Sequence, residues 1–569
     1  MKRTIRGTGI LFLAGAFLSA CNGATRAGEE TAQQSTLDAA STPSALPSAT
    51  NTPFLPGSES GDPSVPTAGS STDSAGSTPS VWFSPALPAS FLSSFQLPAG
   101  WLTAAEPEAA DVRLQPGDEN PISNWTYALV APFPTVTDGV AGAELRGRWS
   151  GQEAGAFTGR PLMMDQNTLD FLSGIWGNPA PGATMLVPAE GLIDAAWSAR
   201  PAWAIIPWEE IEPRWKVLAL DGKSPLQKEF TRSGYALDVP ISCLGDAALC
   251  DGELAAAIPP ANRDPSKLST LILTGVTALV RATASTMEAR GITYPAQDVA
   301  PLLQAADLTH ISNEVPFARN CPPPDPTPGM YRFCSDPRYI DLLEYIGTDI
   351  VDLTGNHVMD FKADALLYTL DLYRQRGWRY YASGENLASA RQPITVEHNG
   401  NRLAFIGCNR PGYNGEWATD TTPGAAPCDF EYMKSEIRRL RFNGYLPVMT
   451  FQYFEYYHSE PTIQQTEEFG LIADSGAAIV SGSQAHQPQG FAFSGGTFIH
   501  YGLGNLFFDQ FGFKAATSQA FIDRHVFYEG RYLGVELFTI QFVDFARPRF
   551  MTPDERSELL SSVFSASGW

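Results

Sequence analysis

Between residues 271 and 505, short apolar runs end repeatedly at a glycine or a polar cluster, and this recurrence limits the folds open to the chain. Strands are predicted over 271–274, 307–311, 349–353, 446–451, 477–480 and 497–501. The residues that follow them are Gly275, then Ser312-Asn313-Glu314, then Thr354-Gly355-Asn356-His357, with Asp360 close behind. Later come Gln452-Tyr453-Phe454, Ser481-Gly482-Ser483-Gln484-Ala485-His486 and Gly502-Leu503-Gly504-Asn505. A helix is predicted with Leu366, Leu367, Leu370 and Tyr373 on one face and Gly377 beyond its end. Asn399-Gly400 between two β-rich runs signals a hairpin. Strands alternating with helices imply an α/β fold, in which loops after the carboxyl ends of strands converge on one crevice. Glu314, Asn356, His357 and His486 would bring oxygen and nitrogen donors there, of the kind a divalent metal such as Mn, Zn or Fe accepts.

Residues 81–260 carry a second alternation. Strands are expected at 127–133, 161–164, 202–207 and 216–220, with helices around 143–149 and 168–172, which makes this a separate α/β domain. Ahead of it, 22–80 is dominated by Ser, Thr, Pro, Ala and Gly, too poor in apolar side chains to offset ordering entropy, and reads as a disordered tether. At the start, Lys2, Arg3 and Arg6 precede an apolar stretch of signal-peptide length. It ends in Leu18-Ser19-Ala20-Cys21, which resembles a bacterial lipobox with Cys21 as the lipidated residue. Residues 1–21 are thus read as a lipoprotein signal peptide. The protein would lie outside the cytoplasm, held to the bacterial membrane by its acylated N-terminus.

The other six cysteines fall as near neighbours: Cys243 with Cys250, Cys321 with Cys334, and Cys408 with Cys428. Sequential disulfides are the preferred pairing in an oxidising compartment, although six cysteines allow other connectivities. The 569 residues carry 38 basic and 61 acidic side chains, a formal charge of −23, which disfavours nucleic-acid partners. No phosphate loop and no Gly-x-Ser-x-Gly nucleophile elbow is present.

The series from about 268 to 509 resembles the CapA family of capsule and poly-γ-glutamate synthesis proteins, which have a calcineurin-like metallophosphatase fold. The family's Gly-Asp-Val-Met-Leu-Gly-Arg start is matched by Gly275-Val276-Thr277-Ala278-Leu279-Val280-Arg281. Its Asn-x-Glu, Asn-Asn-His and Gly-Asn-Phe segments are matched at Ser312-Asn313-Glu314, Gly355-Asn356-His357 and Gly504-Asn505-Leu506. Three expected ligands are replaced: the strand-end Asp by Val276, and two histidines by Gln452 and Gln484. The resemblance implies a four-layer αββα sandwich over 265–550, followed by a C-terminal tail, 551–569. It implies metal-assisted hydrolysis or transfer, with Glu314, Asn356, His357 and His486 on the metal. His357, His486 and Arg281 would be catalytic, Arg281 holding an anionic group, and Gln452, Gln484 and Asn505 would contact substrate. The expected partner is an extracellular anionic polymer or a small anion. The depleted ligands favour a rival equally: a binding protein that kept the fold and lost the centre. Residues 81–260 resemble part of a periplasmic phosphate-type solute-binding protein, implying a ligand-sensing or scaffolding domain.

Overall fold

The Leu268–Thr277 strand is buried at all ten positions, and the rest of the second lobe is arranged around it. Its run of Leu, Ile, Val and Thr suits a central strand covered on both faces. In the computed structural model it pairs in parallel with Leu308–Asn313, which continues to Ile350–Asp352 and Arg379–Tyr381. On its other side lies Gln519–Tyr528, antiparallel, then Arg531–Phe542 and Pro548–Phe550. A second sheet runs in the order Ile394–His398, Asn401–Asn409, Leu446–Gln452, Ile479–Ser483, Thr497–His500, Phe491–Ser494. The predicted hairpin joins its first two strands, with Asn399 and Gly400 at φ +48° and +76°.

The two sheets pack face to face through Leu271, Leu273, Leu308, Phe405, Val448 and Ile479. Helices Arg281–Arg290 and Lys362–Gln375 cover the outer face of the first sheet through Met287, Leu366 and Leu370. Helices Phe430–Phe442 and Ile463–Ala473 cover the second through Ile437, Phe469 and Ile472. The layers are therefore αββα, as the family resemblance implied. Two of the longest strands, Gln519–Tyr528 and Arg531–Phe542, escaped the periodicity reading because Asp523, Arg524, His525 and Glu536 interrupt their apolar runs.

The structure describes residues 78–569, apart from 154, 328, 330, 413 and 414. The signal-peptide and lipobox readings, with Cys21, and the tether up to residue 77 lie outside the described residues. The first lobe is a mixed sheet whose long strand Pro121–Pro132 pairs with Trp203–Pro207, Trp215–Val217 and Asp238–Gly245. Helix Gln166–Trp176 packs on it, N-capped by Asp165, whose side chain accepts from Thr168 N. All three sequential disulfides are formed. Among the described residues, no helix is long and apolar enough to cross a membrane.

Phe133, at the end of the first lobe's long strand, inserts into an aromatic cluster of the second. Its ring lies edge-on to Phe491, Phe493, Phe498, Phe564 and Trp569, with centroids 5.3–5.9 Å apart. Phe564 belongs to helix Pro553–Ala566, which opens with a Thr552–Glu555 capping box and covers the inter-sheet core with Leu559, Leu560 and Val563. Residues 551–569 are thus part of the packed structure. We expect Phe133→Ala to lower the unfolding free energy by about 3–5 kcal/mol, because the cavity opens where both lobes meet. A loss below about 1 kcal/mol in urea titration would show that the cluster is not stabilising.

Between the sheets lies a buried polar chain: His310 Nε2 meets Tyr381 OH at 2.8 Å, which meets Thr450 Oγ1 at 2.8 Å. Burial lowers His310 to a pKa of about 3 and His525 to about 4. Below about pH 6.5 the unfolded chain takes up protons these side chains refuse, so stability falls with pH by about 1.4 kcal/mol per unit for each. Burial raises Asp352 to about 6, which works in the opposite direction. His310→Phe leaves Tyr381 bonded to Thr450 and is expected to lose less stability between pH 6.5 and 4.5 than the unaltered protein. Parallel stability–pH curves for the two proteins would contradict this.

Candidate functional site

All the polar loops predicted to converge do so at one end of the sandwich. Glu314 follows the Leu308–Asn313 strand and is held by its own N–H, which donates to Thr277 O at 2.9 Å. Gly355 allows the next loop to come against it: a Cβ there would lie 2.5 Å from the Glu314 Cα, which backbone atoms cannot yield to. That close approach places Asn356 beside Glu314. Gln452 ends the Leu446–Gln452 strand of the second sheet, and Gln484 follows Ile479–Ser483.

The Gln452 side-chain amide occupies the point where the other oxygens meet. Its Nε2 lies within hydrogen-bond reach of three oxygens, Asn356 Oδ1 at 2.8 Å, Glu314 Oε1 at 3.2 Å and Gln484 Oε1, and its two hydrogens serve two of them at a time. Gln452 is fully buried, Glu314 is 2% exposed and Gln484 4%. His357 and His486 flank this group, each held through Nδ1: His357 by Asp360 Oδ2 at 2.7 Å, His486 by Asn505 Oδ1 at 2.8 Å. Asn505 also donates to the His486 carbonyl at 3.2 Å, so it fixes the imidazole from within the protein. For His357, burial favours the neutral ring. The Asp360 hydrogen bond and the charges of Glu314, Asp360 and Glu416 outweigh burial and raise its pKa.

Arg281 is brought to the same end but is engaged. Its Nε donates to Asp509 Oδ1 at 2.9 Å, Nη2 binds the same oxygen, and Ala282 N donates to Asp509 Oδ2 at 2.8 Å. Its guanidinium lies 5.2 Å from the Phe333 ring and 5.0 Å from that of Phe508. Three of the nine non-glycine residues with positive φ among those described are here: Arg281 at +46°, Gln484 at +85° and His486 at +53°. Each such conformation costs of order 1–3 kcal/mol, so the surrounding contacts hold the loops against their local preference.

Phe333 was not among the residues singled out by sequence. It stacks edge-on against His357 with centroids 4.7 Å apart, and its N–H donates to Asp360 Oδ2 at 2.7 Å. The Cys321–Cys334 disulfide ties down the loop that carries it, so the cysteine pair was the available signal. Tyr453 is packed in the core, whereas Tyr457 forms part of the rim, stacked 6.5 Å from His486 and 5.0 Å from Phe513.

The donor set does not fit a two-metal hydrolytic centre. Val276, at the position where the resemblance led a strand-end carboxylate to be expected, is fully buried in an apolar patch with Ala278, Val280, Val315, Phe333 and Phe508. Glu314 Oε1, Asn356 Oδ1 and Gln484 Oε1 all face the single side-chain NH2 of Gln452. Among the described residues, no group of three His, Cys, Asp or Glu side chains is placed to hold a metal ion. With their Nδ1 atoms engaged, the imidazoles of His357 and His486 keep Nε2 for a polar ligand.

Residues 270–510 match the family described as bacterial capsule synthesis protein PGA_cap. Over 242 residues the chain is 24% identical to the PGA biosynthesis protein CapA of Bacillus subtilis (strain 168), covering 42% of this chain and 63% of that protein. It is 24% identical over 279 residues to the capsule biosynthesis protein CapA of Bacillus anthracis, covering 48% of this chain and 67% of that one. The chain therefore spans a little under two thirds of the first relative's length. Among solved structures, a Mycoplasma pneumoniae phosphatase aligns at 12% identity with a TM-score of 0.33, over 49% of this chain and 95% of that one. The segment 270–510 is thus similar to the CapA proteins of bacterial capsule and PGA biosynthesis.

Proposed function

We propose that this protein serves the synthesis, release or anchoring of an extracellular anionic polymer of the capsule or poly-γ-glutamate type, and that its crevice binds the polymer without a metal-assisted hydrolytic step. The observation that carries the reading is the Gln452 amide at the focus of Glu314, Asn356 and Gln484. A cation at that point would meet N–H groups, whereas a chain of amides and carboxylates would meet donors and acceptors of its own kind. The Tyr457 and Phe513 rim, with Lys514 4.9 Å from the Tyr457 ring, adds aromatic surface and a positive charge beside His486. In this reading the protein acts outside the cytoplasm, tethered to the bacterial membrane by a lipid on Cys21. The three disulfides support that compartment.

The test uses the full chain with poly-γ-glutamate oligomers in equilibrium dialysis, with and without chelator, alongside an assay for p-nitrophenyl phosphate turnover. We expect binding that is unchanged by chelator, no turnover, and about tenfold weaker binding in Gln452→Ala, which removes the central donor. Phosphoesterase or polymer-cleaving activity that disappears with chelator and with His357→Ala would falsify the binding reading and reinstate a metal-dependent hydrolase.

A further inference from the structure

A cavity of about 540 Å³ lies between the two lobes, and none of its lining residues belongs to the crevice. Its volume falls within the range of small-molecule sites. Both lobes and the C-terminal helix build it. The apolar wall comes from Phe133, Val217, Leu537, Phe538, Met551 and Leu560. The charged part of the lining consists of Asp138, Lys216 and Arg556, with Arg524 and Glu536 as a separate pair 2.8 Å apart.

The first of these groups is unbalanced. Asp138 accepts from Lys216 at 2.8 Å and from Arg556 Nε and Nη2 at 2.6 and 2.8 Å. Although burial opposes it, these two cations bring the Asp138 pKa down to about 2. One carboxylate thus faces two cations, leaving one positive charge uncompensated. Lys216 spends its remaining donors on the Thr135 and Val136 carbonyls at 2.6 and 3.2 Å. Arg556 does not: its Nη1 reaches only Thr539 Oγ1, at 3.4 Å. The open donor and the uncompensated charge therefore coincide on Arg556, beside an aromatic and aliphatic wall.

We propose that this cavity is a second binding site, taking an amphipathic organic anion whose head meets Arg556 and whose apolar body lies along Phe538, Leu537, Met551 and Leu560. Such a ligand would lie against the second lobe and the C-terminal helix, in a cavity that Phe133 and Val217 of the first lobe also line. The site is independent of what the crevice binds. The chain's formal charge of −23 disfavours anions at long range, so a preference for an anion over a cation with the same tail has to come from the cavity itself.

The test is calorimetric titration of the full chain with decanoate and with decyltrimethylammonium, both kept below micelle formation. We expect one decanoate per chain, bound at least about tenfold more tightly than the cation. Arg556→Gln leaves Asp138 paired with Lys216 and should erase that preference, while Val217→Trp should abolish binding by filling the cavity. If Val217→Trp does not fold, the comparison of the two probes on the unaltered protein and on Arg556→Gln decides the matter. Equal binding of the two probes, an undiminished preference in Arg556→Gln, or no decanoate binding up to about 1 mM would each overturn the proposal.

Discussion

One side-chain amide joins the two sheets where their loops meet. Glu314 and Asn356 extend from strands of the first sheet, and Gln452 and Gln484 from strands of the second, so each hydrogen bond from Gln452 to Glu314 or Asn356 spans the sandwich. Hydrogen bonds to charged groups contribute about 1.5–3 kcal/mol, and a buried carboxylate left without them is costly. The Gln452 amide therefore gives the buried Glu314 carboxylate a hydrogen bond from the opposite sheet. The neighbouring imidazoles, the Arg281–Asp509 pair and the strained loop residues all pack around that junction.

The chemistry of the crevice follows from substitutions that agree with one another. Val276 places a branched alkyl group where a ligand would stand, and Ala278, Val280, Val315, Phe333 and Phe508 complete an apolar patch around it. Arg281 lies against two of those rings and is tied to Asp509 through Nε and Nη2. His357 and His486 keep orienting partners at Nδ1, as ligand-binding imidazoles do.

Much of this was legible in the sequence because strand ends announce themselves. Apolar runs closed by Asn-Glu, Gly-Asn-His or Gly-Asn placed Glu314, Asn356, His357 and Asn505 on neighbouring loops, and Asn399-Gly400 fixed a hairpin register. The replacements at Val276, Gln452 and Gln484 were visible as residue types. Their consequence was not, because hydrogen bonding between Gln452 and Glu314 joins positions 138 residues apart. Asp509 shows the same limit, being 228 residues from Arg281. Phe333 sits in a loop with no strand-end pattern, and only its disulfide hinted that the loop was fixed. The joint between the lobes depends on Phe133 reaching residues near the C-terminus, which no local periodicity encodes.

The central claim is that the crevice is held by an amide network in place of a cation, and metal content tests it most directly. The full chain would be dialysed against Mn, Zn and Fe in turn, returned to metal-free buffer, and analysed for bound metal. This account predicts well under one ion per chain for every metal, with the His357→Ala variant indistinguishable from the unaltered protein. One or two tightly held ions per chain, lost in His357→Ala, would contradict it.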